Sequence, residues 1–292
     1  MEAGTPRQSA ARSAATKRDE LLYVYGVLLA GPSSKDVLAG RNVLGIVPFA
    51  SVTGINHAGL IAATSLVPAA VFDEEPLNAL TADLPKLAEY AVRHEAVVRT
   101  LFEQAGPIVP LGFGAVYRSP EGVRAMLEGQ ESELHALLEK VADREEWGLK
   151  AYADPARVWR AAEQNSAVLR ELAVEIERSA PGKAYLLRRR RESLLATEAS
   201  GFLDEELSGA ARELGAASVD VQQDAVVSET PDPHPLVAKL AFLVDRDHRE
   251  AFGAVFAGLL DRAQTAGLDL ELSGPWPPYS FVRKVEGQRG AA

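Results

Sequence analysis

The chain has 292 residues, of which 47% are hydrophobic and 25% are charged, and its formal net charge is −10. This length suits two modest domains that each bury a core, and the negative charge argues against nucleic acid or an anionic membrane as the main partner. The sequence contains no cysteine, which excludes disulfides, thiol catalysis and cysteine-ligated zinc.

Residues 1–19 are rich in alanine and serine, carry scattered basic side chains and contain no apolar block. They do not resemble a secretory signal and are predicted to form a disordered tail. Further on, Asn42–Phe72 contains no Asp, Glu, Lys or Arg. The stretch is long enough to span a bilayer, but Pro48 and the turn residues Asn56–Gly59 interrupt it. Two buried strands that meet in a hairpin are therefore expected.

Hydrophobic periodicity predicts a β-α-β-β-α-β order for the first half, which is the ferredoxin-like plan. The predicted elements are a strand at Leu21–Leu29, a short helix around Ser34–Ala39, strands at roughly Val43–Asn56 and Gly59–Val67, a helix at about Asp83–Gln104 and a strand at Ile108–Val116. A trailing helix opens at Ser119-Pro120-Glu121 and is expected to reach about Ala142. Residues 20–144 are predicted to form this N-terminal domain.

The second half, residues 145–285, is predicted to be a modified ferredoxin-like domain with a long paired-helix insertion. Its predicted elements are a strand at Trp147–Tyr152, a helix from Asp154-Pro155 through Ile176, a second long helix towards Leu214, strands around Ser218–Asp224 and Leu236–Asp245, a helix from Asp247 to Gly267 and a strand at Leu268–Leu272. The sequence shows no matching repeat, so any duplication is architectural. The whole chain is thus expected to be an α+β protein, with a flexible tail at residues 286–292.

The last strand leads into Ser273–Phe281, a stretch with three prolines in four residues. Proline fixes φ and removes backbone donors, so strand pairing is expected to stop there. The segment presents Trp276, Tyr279 and Phe281. Its aromatic rings either close the protein's own core as a strap or face a partner, and a strap with two sides can do both. We expect the Trp276 indole to pack against the C-terminal domain.

Motifs for catalysis or cofactor binding are incomplete in this sequence. His94-Glu95 begins a zinc-protease motif, but Val98 replaces the second histidine, and a buried hydrogen-bonded His94 is expected instead. Gly112-Phe113-Gly114 begins a dinucleotide loop, but Tyr117 stands where the third glycine belongs. Glu145-Glu146 is either a carboxylate pair for acid–base chemistry or, as we expect, a pair of solvated charges. The prediction is that the protein is not an enzyme and has no metal site and no cofactor.

The most basic stretch is Arg188–Arg191, in the middle of a predicted helix. Consecutive helical residues point about 100° apart, so four arginines wrap around the helix rather than form one patch. Three interpretations remain open: a solvated helix surface, a contact with an acidic protein surface, and nucleic-acid binding, which the overall negative charge disfavours.

Several motifs, in this order, resemble the gas vesicle protein GvpF/GvpL family. They are Leu22-Tyr23-Val24-Tyr25-Gly26, His94-Glu95, Val109-Pro110-Leu111-Gly112-Phe113-Gly114, Glu146-Trp147-Gly148-Leu149-Lys150, Gly182-Lys183-Ala184-Tyr185-Leu186 and Ser273-Gly274-Pro275-Trp276-Pro277-Pro278-Tyr279-Ser280-Phe281. The resemblance covers roughly Leu21 to Val282. Gly112 departs from it, because a basic residue is expected there.

The resemblance implies an accessory or minor structural protein of the gas vesicle, inside the cytoplasm, that binds the hydrophobic shell subunit GvpA and supports assembly of the buoyant vesicle. Other gas vesicle accessory proteins are further candidate partners. The candidate partner-binding residues are Arg188, Arg191, Trp276, Tyr279 and Phe281. An alternative is a small-molecule-binding or catalytic tandem ferredoxin-like protein with its ligand at the domain interface. The arginine run alone suggests a third class, a nucleic-acid adaptor.

Overall fold

The structure is a computed structural model, and it describes residues 19–40, 43–226 and 232–282. The predicted tails lie almost entirely outside these ranges. The chain forms two compact units. Unit 1 contains the described residues up to Arg144 together with those from Trp276 onward, and unit 2 is Glu145–Pro275. The prediction of an α+β protein is confirmed, because each unit combines helices with an antiparallel sheet.

Unit 1 contains five strands and six α-helices within its described part. The strands are β1 (Glu20–Leu29), β2 (Thr53–His57), β3 (Leu60–Pro68), β4 (Ile108–Pro110) and β5 (Val116–Tyr117). The helices are α1 (Pro32–Ala39), α2 (Ala69–Phe72), α3 (Glu74–Leu80), α4 (Leu84–Ala105), α5 (Pro120–Gly129) and α6 (Glu131–Lys140). The strand order is β2-β3-β1-β4, and β5 also pairs with β1.

The central strand β1 is covered on both faces, which explains its nearly continuous apolar sequence. Tyr23 and Tyr25 join a core cluster with α4, whereas Val24 and Val27 join a second cluster with α5 and α6. The register with β3 shifts between Val24 and Gly26, so the strict alternation of faces is broken there. Unit 1 therefore has two apolar layers around one sheet.

Several predicted strands and helices of unit 1 are shorter or divided in the structure, because turns and loops interrupt the predicted segments. The strand expected at Val43–Asn56 is limited to β2, and the residues before it form an irregular loop with one bridge between Leu44 and Ser51. The strand expected at Ile108–Val116 is split into β4 and β5. Gly114 lies between them with φ of 91°, a conformation that glycine adopts without steric cost. The trailing helix breaks into α5 and α6 at Gln130.

Unit 2 contains four strands and four α-helices in the described ranges. The strands are β6 (Arg144–Ala153), β7 (Asp220–Asp224), β8 (Leu236–Asp245) and β9 (Leu268–Trp276), in the order β7-β8-β6-β9. The helices are α7 (Pro155–Asn165), α8 (Ala167–Arg178), α9 (Pro181–Ala216) and α10 (Arg249–Ala266). The helix predicted to end at Ile176 is divided at Ser166, whose hydroxyl accepts from the Leu169 N–H at 3.2 Å and so caps α8.

The strand order in unit 2 repeats that of unit 1 when strands are counted from the start of each unit. The core of unit 2 lies between its sheet and the helices α9 and α10, where Phe242 and Phe252 are fully buried with ring centroids 5.5 Å apart. Within the residues that the structure describes, no helix is both long enough and apolar enough to cross a membrane.

The aromatic segment after Pro275 belongs to unit 1, not to the C-terminal domain as the sequence suggested. Trp276 is half-buried, and the Arg99 guanidinium of α4 lies 4.4 Å from its ring centroid, so the ring contacts unit 1, whereas packing against the C-terminal domain was expected. Tyr279 packs against the apolar layer that includes α4, and Phe281 is 5% exposed. Chain continuity with β9 suggests the C-terminal domain, but a short extended segment can reach apolar partners that are distant in sequence.

Candidate partner-binding surfaces

The loop between α1 and β2 is anchored to the sheet by buried hydroxyl groups. The Tyr25 hydroxyl lies 2.6 Å from Ser65 Oγ and accepts a hydrogen bond from the Ile46 N–H at 2.7 Å. A Cβ atom on Gly45 would lie 2.7 Å from Ser65 Oγ and 2.8 Å from the Tyr25 hydroxyl, so the close approach of this loop requires glycine. The base of the loop is thus held in one position.

Apolar side chains project into solvent from this anchored loop. Phe49 is 96% exposed and has φ of 67°, a left-handed conformation that is uncommon for a bulky residue. Its neighbour Pro48 and the nearby Leu44 are exposed as well. We call Leu44, Pro48 and Phe49 the loop surface. The loop surface lies within the uncharged stretch, but an uncharged stretch alone does not predict a binding surface.

A cleft of about 500 Å³ lies between the loop surface and α4. Its lining is largely apolar and consists of Val43, Leu44, Gly45, Pro48, Arg93, Ala96, Val97 and Thr100. The Arg93 guanidinium pairs with Glu89 at 2.7 Å and donates to the Ile46 carbonyl oxygen at 3.4 Å. Because the Arg93 charge is compensated locally, the cleft and the loop surface form an apolar patch with little net charge.

His94 lies in the core below this patch, as the sequence predicted. Its Nδ1 atom is 2.9 Å from the Tyr23 hydroxyl, which accepts a hydrogen bond from the Gly114 N–H at 3.1 Å. The hydroxyl hydrogen of Tyr23 can therefore be donated to a neutral imidazole. Burial lowers the pKa of His94 to about 4, and the backbone of Leu111 opposes this shift only in part. The histidine is a neutral structural residue of the core.

We expect acid to destabilise unit 1 through His94. Its folded pKa of about 4 lies below the value of about 6.5 in an unfolded chain. The unfolded state therefore takes up the proton first, and stability is lost as the pH falls from about 6.5 to about 4, by up to ~3 kcal/mol. Denaturant unfolding of the wild type and of His94→Gln, which cannot titrate, measures this effect. Their free energies of unfolding should converge towards pH 4 by that amount, and a pH-independent difference would contradict the assignment.

The structure separates the five predicted partner-binding residues. Trp276, Tyr279 and Phe281 lie in unit 1, where Phe281 is buried beneath Lys140, whose Nζ atom is 5.5 Å from the ring centroid. Arg188 and Arg191 lie on α9 in unit 2. Arg191 forms an ion pair with Glu163 of α7, whereas Arg188 is exposed. Partner binding by these five side chains stays a prediction, and Arg188 is the most accessible of them.

A second exposed patch surrounds Arg188 on α9. Tyr185 is 58% exposed and Leu186 is 67% exposed, although both are large and partly or wholly apolar. Arg188, Arg189 and Arg190 are exposed in the next turn. We call these five residues the helix surface. Tyr185 and Leu186 are not among the partner-binding residues that the sequence predicts, because a helix of mixed composition does not reveal which face is covered.

The sequence predicts that Glu145 and Glu146 are solvated charges, and this prediction is wrong because both are buried. Glu145 is 1% exposed, and its carboxylate accepts hydrogen bonds from Arg249 Nε at 2.7 Å and from Trp147 Nε1 at 2.9 Å. A second bond from Arg249 makes the contact bidentate, and this carboxylate raises the pKa of Arg249. Because β6 begins at Arg144, both glutamates lie within the strand rather than at a solvent-exposed junction.

Unit 2 also brings Asp245, Asp247 and His248 together, with one ligand atom of each within 4.8 Å of the others. His248 Nδ1 lies 3.4 Å from an Asp247 oxygen and 3.6 Å from an Asp245 oxygen. His248 and Asp247 are exposed, and exposed acidic groups commonly lie this close together without holding a metal ion.

The fold and these surfaces define an α+β protein of two compact units with exposed apolar patches, which are typical of proteins that contact other macromolecules. Solved structures share this fold. The crystal structure of the gas vesicle protein GvpF from Anabaena sp. PCC7120 matches with a TM-score of 0.63 and 19% identity, over 90% of this chain and 98% of that chain. GvpF from Microcystis aeruginosa matches with a TM-score of 0.61 and 17% identity over the same shares.

Sequence comparison identifies the family. The model of the family described as gas vesicle synthesis protein GvpL/GvpF matches residues 21–283. Gas vesicle protein L of Streptomyces sp. (strain CB03234) is 36% identical over 275 residues, which is 92% of this chain and 95% of the relative. Gas vesicle protein F of the same strain is 28% identical over 226 residues, covering 74% of this chain and 88% of the relative. The chain belongs to the GvpL/GvpF family of gas vesicle proteins, and its role is associated with gas vesicles.

Proposed function

We propose that this protein binds the hydrophobic shell subunit GvpA through the loop surface and thereby supports assembly of the gas vesicle. The main support for this proposal is the exposure of Phe49. Its side chain is 96% exposed, and it lies on a loop whose base is anchored in the core. A subunit with a water-repelling face is prone to aggregate before assembly. An apolar patch with little net charge, presented on an anchored loop, can cover part of that face.

The geometry of the loop surface favours protein binding energetically. A loop whose backbone is already anchored loses less conformational entropy when it docks than a mobile loop does. Burial of a phenylalanine side chain contributes roughly 1.5–3 kcal/mol, and such residues commonly supply much of the affinity of an interface. The adjacent cleft of about 500 Å³ gives the partner a concave acceptor for its own apolar side chains.

Co-expression of the tagged chain with GvpA, followed by pull-down and by immunodetection on washed intact vesicles, tests the proposal. Phe49→Asn removes the aromatic ring, and asparagine tolerates the positive φ at this position. We expect this variant to retain about tenfold less GvpA, a change of ~1.4 kcal/mol. Leu260→Ser, which alters a partly exposed apolar side chain in unit 2, is the matched control. Equal retention of GvpA by the wild type and Phe49→Asn would contradict the proposed site.

The proposal also includes three expectations from the sequence: the ferredoxin-like fold of each unit, the location of the protein and the absence of catalysis. We propose that each unit is a variant of the ferredoxin-like plan, since both sheets have the same strand order. We also propose that the protein acts at the gas vesicle inside the cytoplasm and has no catalytic role. Detection of the chain on purified vesicles addresses the location. A stoichiometric cofactor or metal in the purified protein would instead favour the small-molecule alternative.

A further inference from the structure

We propose that the helix surface, Tyr185, Leu186 and Arg188–Arg190, is a second docking site that takes an acidic amphipathic helix of another protein. This site is separate from the loop surface and does not depend on the proposed binding of GvpA. Three features of unit 2 support this site: the side chains on the exposed face of α9, the positive local charge, and the arginines that have no carboxylate partner among the ion pairs described below.

The two sides of α9 carry different chemistry near its start. Ala184 is buried and Arg191 forms an ion pair with Glu163 of α7, so these two residues mark the side that packs on the neighbouring helices. Residues three and four apart share a helix face. Tyr185 therefore lies beside Arg189, and Leu186 lies beside Arg189 and Arg190, on the opposite side. The exposed Arg188, four residues after Ala184, lies at the border with the packed side. An exposed apolar pair is thus bordered by arginines.

Local charge identifies the kind of partner. Ala167–Glu192 contains seven Lys or Arg and four Glu side chains, a net charge of +3, whereas the whole chain has a net charge of −10. Some of these cations are compensated, because Lys183 pairs with Glu175 at 2.8 Å and Arg191 pairs with Glu163. The exposed Arg188 and Arg189 remain available to a carboxylate. A guanidinium group binds carboxylates in a bidentate geometry, which gives specificity for an acidic surface.

The shape of the site favours a helix over an extended anionic surface. An amphipathic helix lays apolar side chains spaced by three and four residues against an apolar strip and places its acids at the borders. A short amphipathic helix is small enough to contact only the positive region, Ala167–Glu192. A membrane or a nucleic acid is larger and also meets the acidic remainder of the chain, which repels its negative charge. At physiological salt the electrostatic screening length is about 8 Å. A short acidic helix on this surface is therefore only weakly repelled by acidic side chains elsewhere on the chain.

Fluorescence anisotropy with the full chain and a labelled peptide of about 18 residues tests the inference, a length of about five helical turns. The peptide has leucines at positions i, i+3, i+4 and i+7 and glutamates elsewhere, and a matched neutral peptide has glutamine in place of each glutamate. We expect the acidic peptide to bind and the neutral peptide not to bind. Arg189→Glu should weaken binding by about tenfold or more, and so should the double replacement of Tyr185 and Leu186 by serine.

Lys35→Glu is the control, because it makes the same change in net charge at an exposed site in unit 1. It should leave the affinity nearly unchanged, and far-ultraviolet circular dichroism shows whether every variant is folded. Equal binding of the two peptides, or equal weakening by Lys35→Glu and Arg189→Glu, would overturn the inference. So would Arg189-dependent binding to a DNA duplex or to phosphatidylserine-containing vesicles by a protein that ignores the acidic peptide.

Discussion

Replacement of Phe281 by alanine is expected to lower the free energy of unfolding of unit 1 by about 3–5 kcal/mol. The ring is 5% exposed, and the Lys140 ammonium group lies 5.5 Å from its centroid. Truncation would remove buried apolar surface and leave a cavity, and it would also abolish the contact with the Lys140 cation. A loss of this size is a large part of the ~5–15 kcal/mol that stabilises a domain. The segment from Trp276 to Val282 would thus be required to hold unit 1 together.

Phe49→Ala is the matched control, since it makes the same chemical change at a side chain of unit 1 that is 96% exposed. Its free energy of unfolding should stay within about 0.5 kcal/mol of the wild type, as is usual for surface positions. Denaturant unfolding gives the energies, and native-state hydrogen exchange shows whether the loss in Phe281→Ala is confined to amides of unit 1. Equal stability of the two variants would mean that the aromatic segment does not close the core.

Replacement of Arg249 by methionine is expected to destabilise unit 2 by about 3 kcal/mol, because it leaves the buried Glu145 carboxylate without its cationic partner. Glu145 is 1% exposed and accepts hydrogen bonds from the Arg249 guanidinium and from the Trp147 indole. In the single variant only the indole contact remains, and it cannot offset the cost of desolvating a carboxylate.

Arg262→Met provides the comparison within the same helix, α10. Arg262 is exposed to a similar degree as Arg249, but its partners Glu213, at 2.6 Å, and Glu206, at 3.9 Å, are both much more exposed than Glu145. An exposed pair contributes about 1 kcal/mol at most, so this variant should be nearly as stable as the wild type. The double variant Glu145→Leu/Arg249→Met should recover most of the loss, because no unpaired charge remains. Equal losses in Arg249→Met and Arg262→Met would show that burial of Glu145 is energetically unimportant.

Local sequence signals were sufficient at several helix ends that have their own side-chain chemistry, although they did not predict the cap at Ser166. The helix predicted at about Asp83–Gln104 is observed as Leu84–Ala105, with the Asp83 carboxylate accepting from the Lys86 N–H at 3.2 Å. Gly267 ends α10 as expected, and the periodic apolar positions placed His94 in the core correctly. Capping and periodicity act over a few residues, so a single sequence contains the information needed to find them.

The sequence by itself determined the α+β class, the family and the absence of cysteine chemistry. The tertiary structure alone decided which unit holds Phe281, that Glu145 is buried against Arg249, and that Phe49 and Tyr185 are exposed. These features depend on contacts between residues far apart in the chain; Glu145 and Arg249, for example, are 104 positions apart. Periodicity specifies that a side chain is apolar and which neighbours share its face, but burial depends on whether another element covers that face.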